Sequence, residues 1–134
     1  MYNDPKLENG PVVLVVEDDL FFQMLIKRIF STQNINSIYA ENGAQAIIRL
    51  NTTPGITHIL LDVNMPTMDG YSLLEYIRSQ QSLDHIHIFM CSAHPEKHFM
   101  DGAAKKSIDL GNIKKYFEKP VDFNQLVSSF AVSK

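Results

Sequence analysis

The chain has 134 residues, 45% of them hydrophobic, and a net charge of −3 from 12 basic and 15 acidic side chains. That size suits one domain with a real core. The mild acidity gives no footprint for nucleic-acid binding, the single cysteine (Cys91) excludes an internal disulfide, and no apolar run approaches membrane-spanning length. No N-terminal stretch resembles a signal peptide, so a cytoplasmic location is expected.

Met1 to Gly10 is polar, contains Pro5, and reads as a flexible lead-in to a single domain over residues 11–134. Val12–Val16 is a short apolar run that ends in Glu17-Asp18-Asp19, with Asp19 placed to cap a helix. Phe22, Leu25, Ile26 and Ile29 then fall at i, i+3, i+4 and i+7, one helix face. Ile35 to Ala40 is a weaker, more polar strand, expected at a sheet edge. Glu41-Asn42-Gly43 turns the chain. Ala44, Ile47 and Ile48 mark a short helix that stops before Pro54-Gly55. Ile59–Leu61 ends in Asp62. Asp69-Gly70 opens a third helix with Leu73, Leu74 and Ile77 facing in. Ile86–Met90 ends in Cys91-Ser92. Pro95 suits the first turn of a fourth helix, whose expected buried face is Phe99, Met100, Ala103 and Ala104. Ile113 to Phe117 ends in Glu118-Lys119-Pro120. Asp122 is a good N-cap for a last helix with Phe123, Leu126, Val127 and Phe130 on one face. Met24, Met90 and Met100 fit a core, and Met65 and Met68 read as loop packing. No repeat, linker or second domain is expected.

Five strands alternating with five helices predict an α/β fold: a parallel sheet with helices on both faces and right-handed crossovers. Only the second strand lacks a reactive residue at its carboxyl end, which fits the order 2-1-3-4-5. In such a sheet the carboxyl ends share one edge, where ligands bind. Glu17, Asp18 and Asp62 should therefore converge. Two like charges ~5 Å apart repel by roughly 3 kcal/mol at an effective dielectric near 20, so three acids need a cation. Carboxylates and backbone carbonyls suit Mg²⁺. A carboxylate held as Asp62 is held can attack phosphorus and form an acyl phosphate. Phosphoryl transfer needs positioning and charge neutralisation, which Mg²⁺, the Lys119 ammonium and the Ser92 hydroxyl would supply.

Together, VVLVVEDD, LLDVNMPTMDG, MCSA and YFEKP resemble the receiver domain of two-component response regulators, CheY-like in its single-domain form, over about residues 11 to 132. The resemblance implies a doubly wound (βα)5, flavodoxin-like three-layer sandwich. It implies that Asp62 accepts a phosphoryl group from a sensor histidine kinase or a phosphotransfer protein. Glu17 and Asp18 match the acidic pair, Asp18 binding Mg²⁺ directly and Glu17 largely through water. Asn64 matches the position whose backbone carbonyl binds the metal. Ser92 and Lys119 match the hydroxyl and the lysine of the family, and the Lys119–Pro120 bond matches one usually cis. Tyr116 matches the switch aromatic, which follows Ser92 inward on phosphorylation; a half-buried strand aromatic is the plainer reading. Output would pass through the face of the fourth helix, fifth strand and fifth helix to another protein. No direct nucleic-acid or membrane contact is implied, and the chain would be a monomer or weak homodimer.

Two departures bear on the carry-over. Ser92 and Lys119 are 27 positions apart, a few more than usual, with the extra length in AAKKSIDLGNIKK on the signalling face. Asn64 and His94 occupy positions that vary in the family and tune phosphate lifetime. His94 is read either as a hydrogen-bonding group near the phosphoryl site or as an exposed helix cap. His58, His85, His87 and His98 have no ligand spacing with Cys91, which reads as a small buried hydrophobe.

Other classes fit less well. An aspartyl-phosphate phosphatase of the haloacid-dehalogenase type wants an acid two residues after its nucleophile, where this chain has Asn64. A flavodoxin-like electron carrier needs a phosphate-cradling loop after the first strand, where Glu17-Asp18-Asp19 would repel phosphate. A degenerate receiver working without phosphate is opposed by the intact Glu17, Asp18, Asp62, Ser92 and Lys119.

Overall fold

Alternating side chains along buried strands feed two apolar layers, one on each side of a sheet. In a computed structural model, which describes residues 10–63 and 70–131, the elements run in chain order. They are β1 (Val12–Val16), α1 (Leu20–Ser31), β2 (Asn36–Ala40), α2 (Gly43–Thr52), β3 (His58–Leu61), α3 (Gly70–Ser79), a 3₁₀ turn (Gln81–Leu83), β4 (His87–Ser92), α4 (Glu96–Lys105), β5 (Ile113–Glu118) and α5 (Phe123–Ala131). The sheet is wholly parallel, in the order β2-β1-β3-β4-β5. The expected fold class and strand order are both present.

Leu14, Val16, Ile59, Leu61, Ile88 and Met90 point to one face, where they meet Leu73, Leu74 and Ile77 of α3 and Phe99 of α4. Val13, Val15, Leu60, Phe89 and Cys91 point to the other and meet Ile26 and Phe30 of α1 and Leu126 and Phe130 of α5. β1 is a continuous apolar run because both of its faces are covered. β2 is only partly buried over most of its length, as an edge strand should be. Val16 lies opposite Ala40 and Leu61, and Leu61 lies opposite Met90. The strands therefore end at nearly the same level, which brings their next residues together.

Helix ends follow local chemistry. Asp19 Oδ1 accepts from the backbone N–H groups of Phe21 and Phe22 and caps α1 as expected. Asn34, in the left-handed region at φ 59°, ends the turn after α1, and the Ile35 N–H reaches back to the Phe30 carbonyl. Asp122 Oδ1 accepts from Asn124 and Gln125 at the start of α5. The Lys119–Pro120 bond is cis.

The sequence leaves the buried face of α2 open, and two apolar expectations, the α4 face and the core methionines, are corrected. In α2 the buried residues are Gly43, Ala46 and Leu50, while Ala44 and Ile48 are exposed. The i, i+3, i+4, i+7 stripe starts at Gly43 and runs through Ile47, so it buries Leu50 and leaves Ile48 outside. In α4 only Phe99 and Ala103 are buried; Met100 and Ala104 face out, because α4 touches the sheet along a narrow i, i+4 line. Met24 is 68% exposed and Met100 46%, so of the three methionines assigned to the core only Met90 is there. Asn64, Met65, Met68, Asp69 and most of the expected N-terminal lead-in lie outside the described residues.

Candidate functional site

Three of the reactive residues, Glu17, Asp62 and Lys119, are each held by a backbone bond that extends the sheet beyond its strand. The Glu17 N–H donates to the Ala40 carbonyl at 2.9 Å, that of Asp62 to Val16 at 3.1 Å, and that of Lys119 to Ser92 at 2.7 Å. Ladder bonds of this kind fix the backbone at a sheet edge where a free loop would wander. Gln23, from α1, donates its side-chain amide to the Glu17 carbonyl at 2.6 Å and pins the acidic turn to the helix. Gly70 begins α3 against the same edge. Its N–H donates to the Val63 carbonyl at 2.8 Å, and a Cβ there would sit 2.7 Å from Val63 Cα.

The carboxylates of Glu17, Asp18 and Asp62 gather so that one oxygen from each lies within 4.8 Å of the others. Glu17 and Asp62 are buried, and Asp18 is exposed at the mouth. Lys119 Nζ stands 2.8 Å from Glu17 Oε1 and 3.5 Å from Asp62 Oδ2, with the Phe22 ring 4.4 Å beneath it. Glu17 Oε2 also accepts from the Asp19 N–H at 3.1 Å. Burial raises the Glu17 carboxyl from 4.5 to about 7, helped by the Asp62 charge and opposed by the Lys119 hydrogen bond. Burial lowers the Lys119 ammonium, but its hydrogen bond to Glu17 and the charges of Glu17 and Asp62 outweigh this and hold it above its ordinary value. The two shifts pull apart: one favours a neutral Glu17, the other an ionised pair. The ammonium is charged and the surplus lies among the acids, because three carboxylates face one cation.

That surplus is the test of whether a divalent metal fits, and it does. Hard oxygen donors with excess negative charge beside one lysine match Mg²⁺. Asn64, the fourth expected ligand position, lies outside the described residues.

Ser92 is 1% exposed at the end of β4, one strand over from Asp62. Its Oγ accepts from the His94 N–H at 3.2 Å. Tyr116 donates its hydroxyl to the His94 carbonyl at 2.6 Å and packs against Phe99, with ring centroids 5.6 Å apart. Ser92, Tyr116, Phe99 and Val63 line one narrow cleft with Tyr71, His94 and His98. The plain reading of Tyr116 as a half-buried strand aromatic describes its burial, but its hydroxyl is also committed to the turn after Ser92. Burial pushes the Cys91 thiol up to about 12, so it is not a nucleophile.

The sequence reading overlooked one feature: His94 and His98 stack, with centroids 4.5 Å apart. The contact is made across the bend at Pro95, ahead of α4, and so left no helix-face signal in the sequence. The long α4–β5 segment is anchored at its far end. Arg78 of α3 pairs with Asp109 and donates to Asn112 Oδ1 at 2.8 Å, while Ile108 and Leu110 pack on the core.

Comparison with known proteins agrees with this geometry. The family model for the response regulator receiver domain matches residues 13–131. The two-component response regulator ORR12 of Oryza sativa subsp. japonica is 30% identical over 115 residues, covering 84% of this chain and 89% of that protein. The chemotaxis protein CheY of Bacillus subtilis is 35% identical over 83 residues, covering 60% of this chain and 66% of its own. The Francisella response regulator 1452 receiver domain superposes with a TM-score of 0.74 at 27% identity, covering 90% of this chain and 93% of that one. With 119 of its residues inside the family match and its acids, serine and lysine gathered at one sheet edge, the chain belongs to the response regulator receiver domains of two-component signalling.

Proposed function

We propose that Asp62 accepts a phosphoryl group from a phosphohistidine on a sensor kinase or phosphotransfer protein, and that the product alters the α4–β5–α5 face read by a downstream protein. The observation that carries this reading is Lys119 spanning Glu17 and Asp62 beside the exposed Asp18. An Asp62 carboxylate oxygen attacks phosphorus, and the phosphorus–nitrogen bond to the donor histidine breaks. Lys119 and the Ser92 hydroxyl neutralise and orient the phosphoryl oxygens. Glu17, Asp18, Asp62 and the Asn64 carbonyl would hold Mg²⁺, which supplies charge neutralisation on the other side of the transferred group. Self-dephosphorylation returns Asp62 to a carboxylate, and no external metabolite is turned over. A cytoplasmic monomer or weak homodimer goes with this reading.

Incubation with acetyl phosphate and Mg²⁺, followed by intact mass, should give one phosphoryl adduct that Asp62→Asn lacks. No adduct, or one that persists in the variant, overturns the proposal.

A further inference from the structure

We propose that His94 and His98 form a second cation site, selective for a borderline divalent metal such as Zn²⁺ and separate from the acidic pocket. His94 lies outside α4, before its extended N-cap Pro95, and His98 lies in the first turn of the helix; the bend at Pro95, rather than a shared helix face, brings the two rings together. Both residues are exposed, and their rings lie 4.5 Å apart, tilted by 23°. Among the described residues no hydrogen bond engages either ring, so the nitrogen lone pairs are available to a metal. Zinc binds imidazole nitrogen at about 2.0–2.1 Å, and water fills the positions that protein leaves open.

Ligand chemistry separates the two sites. Imidazole suits Zn²⁺, Ni²⁺ and Cu²⁺, whereas carboxylates suit Mg²⁺. The other stacked pair, His58 and His87, is a poorer host. His58 Nδ1 already shares a hydrogen bond with Thr57 Oγ1 at 2.6 Å, and its ring packs edge-on to Phe89 and Phe130.

Location gives the site a consequence. The backbone of His94 is the piece that both switch residues grip: Ser92 Oγ accepts its N–H, and its carbonyl accepts from Tyr116. A metal shared by the two rings ties that residue to the first turn of α4 and restrains the turn after β4. Zinc binding itself needs no phosphoryl chemistry, so its test is independent of the reading given above for Asp62.

The test is calorimetric titration of Zn²⁺ into the full chain, with saturating Mg²⁺ present to fill the acidic pocket. One equivalent should bind. His94→Ala and His98→Ala should each weaken binding at least about tenfold, as expected for losing one of two protein ligands. His87→Ala and Asp62→Asn should leave the affinity unchanged. Both substituted imidazoles are exposed, and circular dichroism checks that the variants keep their fold. Imidazole resonances of His94 and His98 should shift on loading, and amide exchange over residues 93–99 should slow. Failure of Zn²⁺ to bind, wild-type affinity in either histidine variant, or loss of binding with His87→Ala or Asp62→Asn would overturn the site. Unchanged exchange in the loaded protein would overturn the restraint.

Discussion

Three carboxylates share one ammonium in the pocket, and that imbalance makes stability depend on pH. The folded state holds a proton on Glu17 up to about 7, against 4.5 for the ordinary carboxyl, because burial and the Asp62 charge oppose ionisation. Folded protein therefore binds this proton more tightly than unfolded protein does. The resulting stability is fully present below 4.5 and is lost as pH rises through about 7. A divalent cation would offset the loss by neutralising the ionised site. Mg²⁺ should accordingly raise Tm more at about pH 8 than at about pH 6, and Glu17→Gln should flatten the difference. An equal Mg²⁺ increment at both values would contradict the assignment. His58 works in the opposite sense. Burial, then the neighbouring His87, lowers its imidazole from 6.5 to about 4. Stability from this residue is present above 6.5 and is lost as pH falls through about 4. His58→Phe keeps a ring against Phe89 and Phe130, so its acid-unfolding midpoint, followed by circular dichroism, should move to lower pH.

Among the elements, the junction of β3 and α3 carries the tightest constraint. A methyl at Gly70 would meet Val63 Cα at 2.7 Å and the Asp62 carbonyl oxygen at 3.0 Å. Both are backbone atoms, which cannot rotate away. Gly70→Ala should therefore push α3 off the sheet edge at a cost of about 1–3 kcal/mol, seen as a lower urea midpoint. It should also slow acetyl-phosphate labelling, because the displaced backbone is that of Asp62 itself. A midpoint at or above wild type would refute the close approach. The sequence marked Gly70 only as the opening of the third helix; the need for its missing Cβ arises from packing between segments. The same division runs through the fold. β1, β3 and β4 were legible because they are buried on both faces and read as unbroken apolar runs. The site was legible because strand ends in a parallel sheet must converge, whatever their separation along the chain. The inward face of α4 was misread, and that of α2 was left open, because short amphipathic helices offer two neighbouring stripes of similar apolarity. Which one is buried depends on helix rotation, set by the cap at Asn42 in α2 and by Phe99 and Ala103 in α4. The Arg78–Asp109 tie joins residues 31 apart and left no local signal.

At the scale of the whole molecule, the proposed function requires that a charge placed on Asp62 reach the face formed by α4, β5 and α5. The described route is short. Ser92 and Tyr116 hold the His94 backbone from opposite sides, and Tyr116 leans on Phe99 of α4. Magnitudes limit what this route contributes. Moving a population from 1:99 to 99:1 takes about 5.5 kcal/mol of differential interaction. A neutral hydrogen bond such as Tyr116 to His94 contributes only about 0.5–1.5 kcal/mol net. Under the proposed function the larger share comes from the phosphoryl charge, about two negative units set against Lys119 and the Mg²⁺ that the acids would hold. Tyr116→Phe, which keeps the ring and deletes the bond, should then label with acetyl phosphate at nearly the wild-type rate. Its active-to-inactive ratio should change by no more than about tenfold, because 1.4 kcal/mol is one factor of ten. Amide chemical shifts of α4, β5 and α5, recorded with and without beryllofluoride as the phosphoryl mimic, measure that ratio. Complete loss of the beryllofluoride response would mean that the hydroxyl, rather than the charge, drives the change, whereas a response identical to wild type would remove Tyr116 from the route altogether.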